Sequence, residues 1–173
     1  MSLLSWLEPF GYSHARRRHR HHHGYRHPWH LLLRVETRGQ REQRVRIFVI
    51  RPNEETEIMS AVNVGHTINY TWQFVDANGN PPPAGTPPPV ANSATFSDTP
   101  ASPPVDTFTP SGGPVEQSAS LIATAAGSDT VTLSVAYTPP GASAPVTFTA
   151  TDLVTISAAP FAPAGVQLIP TVQ

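Results

Sequence analysis

The chain has 173 residues, enough for one ordinary domain and an appendage, with 20 prolines, no cysteine and only 13% charged residues. Its net charge of −1 conceals a split: residues 1–51 hold all eleven arginines against Glu8, Glu36 and Glu42, whereas residues 52–173 hold nine acids and no Arg or Lys. Without cysteine there is no disulfide framework and no thiolate zinc site, and no apolar run approaches the roughly 20 residues of a membrane-spanning helix.

Residues 2–8, SLLSWLE, form a short amphipathic pattern of about two helical turns that Pro9 and Gly11 end. A helix of that length is unstable alone, so it docks or frays. MSLLSWLEPF lacks the charge order and small-residue cleavage site of a signal peptide, so standard export is not expected.

Residues 14–30, HARRRHRHHHGYRHPWH, hold seven of the eight histidines and five of the eleven arginines. Four roles compete for this segment. His19, His21, His22 and His23 offer imidazoles to a transition metal, yet neighbouring arginines repel a cation and no acidic partners orient the rings. An expression tag would not be interrupted by arginines. Nucleic-acid binding would use Arg16, Arg17, Arg18 and Arg20 on phosphates, with Tyr25 and Trp29 on bases, against an acidic remainder that repels the ligand. The favoured reading is a partner-docking arm in which Arg16, Arg17, Arg18, Arg20, Tyr25, Arg26 and Trp29 grip a protein surface. Planar guanidinium groups suit carboxylates and carbonyls, and the arm orders on binding.

From Leu31 the pattern has period two. LLLRVET sets Leu31, Leu33 and Val35 opposite Arg34 and Glu36; RVRIFVIR sets Val45, Ile47 and Val49 opposite Arg44, Arg46 and Phe48. With RGQREQ between them, residues 31–52 read as a β-hairpin, which needs a downstream domain or a partner to pack on. RPNEETE resets the chain at Pro52. HTINYTWQF then lines Ile68, Tyr70, Trp72 and Phe74 along one face, the pattern of a core strand. DANGN (76–80) supplies turn chemistry, and that reading outweighs a calcium loop.

The proline-rich middle, residues 80–114, reads as loops over a sandwich rather than an SH3-type ligand, with weak strands at Ala94–Phe96 and Val105–Phe108. Ala119, Leu121 and Ala123 alternate, Gly127-Ser128-Asp129 read as a turn, and Val131, Leu133, Val135 and Tyr137 alternate again. VTFTATDLVTIS keeps Val146, Phe148, Ala150, Val154 and Ile156 in phase, with Asp152 as an interruption that marks a bulge or a change of sheet. GVQLIPTVQ adds a tail or edge strand over 159–173.

Short strands at regular spacing give an all-β sandwich over residues 53–158, preceded by the hairpin (31–52) and the basic arm (1–30). INYTWQFVDANGNPPPAG, SASLIATAAGSDTVTLSVAYT and VTFTATDLVTISA together resemble the bacterial and phage Ig-like (Big-type) modules over about 100 residues. The resemblance implies an immunoglobulin-like β-sandwich with a binding or structural role and no shared catalytic residues; the long proline inserts depart from it.

No G-x-S-x-G, H-E-x-x-H or P-loop occurs and His66 has no partner by spacing, so neither catalysis nor a cofactor is expected. The expectation is a virion structural protein, a phage head decoration (cement) protein on the capsid surface. Its arm would dock on the major capsid or another virion protein, and opposite charges would link neighbouring copies into an oligomer. Two alternatives remain: an extracellular or cell-surface adhesion module that binds glycan, and a nucleic-acid-associated packaging protein.

Overall fold

The computed structural model describes residues 29–39, 42–85, 89–113, 115 and 118–159. The helix expected at 2–8, the arm up to residue 28 and the tail beyond residue 159 lie outside them.

Nine strands follow one another: β1 (Trp29–Arg38), β2 (Gln43–Ile50), β3 (Glu55–Asn63), β4 (Thr67–Asp76), β5 (Ser93–Thr99), β6 (Asp106–Ser111), β7 (Ser118–Ala123), β8 (Gly127–Tyr137) and β9 (Val146–Ser157). They build a five-stranded sheet, β2-β1-β4-β7-β6, and a four-stranded sheet, β3-β9-β8-β5. The described residues contain no helix, and the architecture is sandwich-like. Apart from β2, the strands turn their apolar phase inward: Ile68, Tyr70 and Phe74 from β4 meet Val131, Leu133, Val135, Phe148 and Val154 in one core. Aromatic rings join the two sheets, with Phe74 5.3 Å from Tyr137 and 6.0 Å from Phe148, and Tyr70 6.1 Å from Phe96.

The hairpin strands are part of this body. β1 lies between β2 and β4 and pairs with β4 from Trp29 opposite Asp76 to Arg38 opposite Thr67. Interior placement explains the outer-face partners of Glu36, which accepts hydrogen bonds from Arg34 at 3.0 Å, Arg38 at 2.5 Å and Gln43 at 2.6 Å. These bonds, from Arg38 above all, hold its carboxyl below the usual range.

Four expectations change. The chain is interrupted at Pro52 as expected, but an unexpected strand follows at once: β3 begins at Glu55 and runs parallel to β9, with Ile58, Ser60 and Val62 inward. In β2 the aliphatic phase faces solvent, because Leu33 opposes Phe48 and Val35 opposes Arg46, placing Phe48 and Arg46 on the core side. Gly127-Ser128-Asp129 are not a turn but the start of β8, paired with Ile156, Thr155 and Val154 of β9. Asp152 makes no bulge: the ladders run unbroken past it on both sides, and it sits in phase with Ala150 and Val154, pointing into the core.

The DANGN segment is a turn. Asp76 Oδ1 accepts the backbone N–H of Asn78 at 2.8 Å and of Asn80 at 2.9 Å, Oδ2 accepts Asn80 Nδ2 at 3.2 Å, and Gly79 has φ +83°. Those N–H donors hold the Asp76 carboxyl below its ordinary range.

Where the chain crosses between sheets from β7 to β8, the Val105 carbonyl accepts the N–H groups of Thr124 at 2.8 Å and Ala125 at 2.9 Å. The Val105 side chain fills the space beside Gly127, so a Cβ there would lie 2.6 Å from Val105 Cγ1. Gly127→Ala is therefore expected to lower stability by about 1–3 kcal/mol, read as a reduced midpoint in urea unfolding with unchanged slope.

Candidate functional site: a seam of edge strands and two buried carboxylate centres

The edge strands β2 and β3 belong to different sheets and flank one open side of the molecule. Between them runs a cleft of about 380 Å³ lined by Glu42, Arg44, Arg46, Met59, Asn63 and His66, among others. Arg46 closes part of it, donating to the Met59 carbonyl at 2.6 Å and to Ser60 Oγ. Arg44 pairs with Glu42 at 2.9 Å. Aliphatic side chains stand outside on both flanks. Val45, Ile47 (60% exposed) and Val49 line β2, and on the other flank Met59 (77% exposed) of β3 sits opposite Leu153 on β9, its neighbour in the same sheet. Among the described residues the β2 edge has no strand beside it, and its alternating arginine and aliphatic residues offer backbone, cationic and apolar contacts together.

Arg46 also heads a chain of hydrogen bonds into the core. Ser60 Oγ donates to Asp152 Oδ2 at 2.5 Å, and the Tyr70 hydroxyl donates to the same oxygen at 3.0 Å. Asp152 is 2% exposed, and burial raises its pKa despite these donors and the nearby Arg46. Burial, and next the Asp152 charge, push the Tyr70 hydroxyl well above its usual value. The network joins β2, β3, β4 and β9, so it ties the two sheets across the seam.

A second carboxylate centre lies between the sheets on the far side. Asp98 on β5, Asp106 on β6 and Asp129 on β8 each bring an oxygen within 4.8 Å of the others. All three continue inward-facing phases: Asp98 follows Ala94 and Phe96, Asp106 opposes Ala123, and Asp129 precedes Val131 and Leu133. Asp129 is 3% exposed and neither of its carboxylate oxygens has a hydrogen-bond partner; Asp106 Oδ2 is enclosed and unpartnered as well. Burial, and then the adjacent Asp129 and Asp98, raise the pKa of Asp106 to about 7. The sequence signal is an Asp-Thr pair in three strand segments, SDT (97–99), VDT (105–107) and SDT (128–130), which reading 127–129 as a turn conceals.

Of the arm residues singled out from sequence, only Trp29 is described. It begins β1 in the inward phase and packs against the core cluster. Arg16, Arg17, Arg18, Arg20, Tyr25 and Arg26, and the histidines His19, His21, His22 and His23, lie outside the described residues. His66 sits by the β1–β2 turn, its ring within 2.3 Å of where a Gly39 Cβ would be. No helix among the described residues is long and apolar enough to cross a membrane. No protein-family profile matches the chain, and no curated protein matches it either.

Proposed function

We propose that the chain is a non-enzymatic binding protein of a virion, a head decoration protein of phage type. Its Arg/His-rich segment before β1 and the adjoining β2 edge hold a major capsid or other virion protein, while an Ig-like sandwich is displayed outward. Strand order supports the Ig-like reading. With β1, β4, β5, β6, β7, β8 and β9 taken as strands A to G, one sheet reads A-B-E-D and the other G-F-C, the constant-type immunoglobulin arrangement. β2 is then an addition beside A, and β3 an addition running parallel beside G.

The observation that carries the docking half is the seam. Val45, Ile47 and Val49 stand exposed on an edge strand whose other phase is Arg44 and Arg46, and the arm enters the fold at Trp29 on the neighbouring strand β1. Exposed aliphatics on an edge are ordinarily blunted, so their retention supports a covering partner. The charge division supports contact between copies, since all described arginines lie on β1, β2 and the turn after it, whereas β6 is the opposite edge of that sheet.

Alanine at Arg16, Arg17, Arg18 and Arg20 together is expected to reduce occupancy on particles at least tenfold with the sandwich still folded by circular dichroism. Unchanged occupancy overturns the arm. Loss of particle association on nuclease treatment alone favours the nucleic-acid reading instead.

A further inference from the structure

We propose that Asp98, Asp106 and Asp129 form a binding site for one hard divalent cation, calcium by preference, which clamps the two sheets together at the edge opposite the arginine seam. Three strands contribute one carboxylate each, and the oxygens already stand within 4.8 Å of one another. Oxygens bound to a single calcium at 2.3–2.6 Å lie no more than about 5 Å apart, so the arrangement accepts the ion without moving the strands.

Burial supplies the second, independent argument. A carboxylate taken out of water is normally paired, hydrogen-bonded or bound to metal. Asp129 is 3% exposed with both oxygens free of hydrogen bonds, and it points into the group. Among the described residues no cationic side chain answers it. The chain has no lysine and no arginine after Arg51, and the described arginines sit on β1, β2 and the following turn, with β4 and β7 between β1 and β6.

The donor set selects the class of ion. Oxygen ligands alone, without imidazole or thiolate, suit calcium, magnesium or manganese rather than zinc or copper. Magnesium demands tighter octahedral geometry and sheds its water reluctantly, whereas calcium accepts irregular carboxylates completed by water. Asp98 is half-exposed on the edge strand β5 and gives the ion its way in. Calcium also separates this site from the histidine segment, which would draw transition metals.

The test uses the full chain, stripped with EDTA and shown folded by circular dichroism. Calcium chloride is titrated calorimetrically, and thermal unfolding is followed with and without the ion. The expected result is one calcium per chain and a Tm rise of about 5–10 °C at a hundredfold excess over Kd, with magnesium at least tenfold weaker. Asp98→Asn, at the accessible edge, should stay folded and bind at least tenfold more weakly; Asp106→Asn should do the same. Absence of a stoichiometric site and of any Tm shift overturns the proposal and leaves a shared proton between Asp106 and Asp129 to neutralise the group. Full calcium binding retained in both variants overturns it too, because the ion is then held elsewhere.

Discussion

Phe148→Ala is expected to cost about 3–5 kcal/mol, a large part of the 5–15 kcal/mol that stabilises a typical domain. Phe148 is fully buried on β9, and its ring meets Phe74 of the other sheet edge-on at 6.0 Å, with Phe74 also 5.3 Å from Tyr137. Deleting the ring opens a cavity at the contact between sheets, where strands of a packed core cannot close in. Urea unfolding of the two proteins measures the loss as a shifted midpoint. A change below 1 kcal/mol would mean that the sheets do not share this core. Ile47→Ala is the natural control: the residue is mostly exposed, so its stability effect should stay within about 0.5 kcal/mol.

The second large effect concerns Asp152. Asp152→Ala leaves the Ser60 and Tyr70 hydroxyls without their buried acceptor and should cost about 2–4 kcal/mol, whereas Asp152→Asn retains an acceptor and should cost less than about 1 kcal/mol at neutral pH. The pH dependence has a definite sign. Because burial raises the carboxyl pKa in the folded state, folding favours the protonated form. The wild-type protein should therefore gain stability relative to Asp152→Asn as pH falls from neutral toward the unfolded value of about 3.9, and lose that advantage as pH rises through the raised pKa. Unfolding midpoints of both proteins at several pH values check this. A wild-type advantage that grows toward neutral pH would show that the Arg46–Ser60 chain outweighs desolvation.

Much of this architecture was legible where side-chain alternation is strong. Ile68, Tyr70, Trp72 and Phe74 mark β4, and Val131 to Tyr137 mark most of β8, because large apolar residues recur at period two with small polar residues between. The weak segments at 94–96 and 105–108 fall within β5 and β6, where Pro110 is tolerated because β6 is an edge. β3 was hidden by composition: Glu55 and Glu57 face outward beside Met59, and a serine occupies an inward slot between Ile58 and Val62. That serine is inward because Arg46 and Asp152 meet on it, a long-range relation no local pattern carries.

The carboxylate centres escaped for a related reason. An acid inside an apolar phase reads as a break in the strand, so Asp129 reads as turn and Asp152 as a bulge or a change of sheet, whereas both continue the inward row. The three aspartates of the cation site come from β5, β6 and β8, separated by the proline-rich link 100–105 and by the whole of β7, and only the sheet topology brings them together. Periodicity locates strands and leaves their facing partners open. The outward aliphatic phase of β2 belongs to the same class, since its inner side is fixed by register with Leu33 and Val35 of β1.

The docking account is tested most directly by sedimenting a nuclease-treated native lysate at moderately high salt and following the protein by mass spectrometry. The account predicts that the chain travels with megadalton particles and stays with them on resuspension. Recovery at the top of the gradient as a free 18.6 kDa chain or a small oligomer would contradict it.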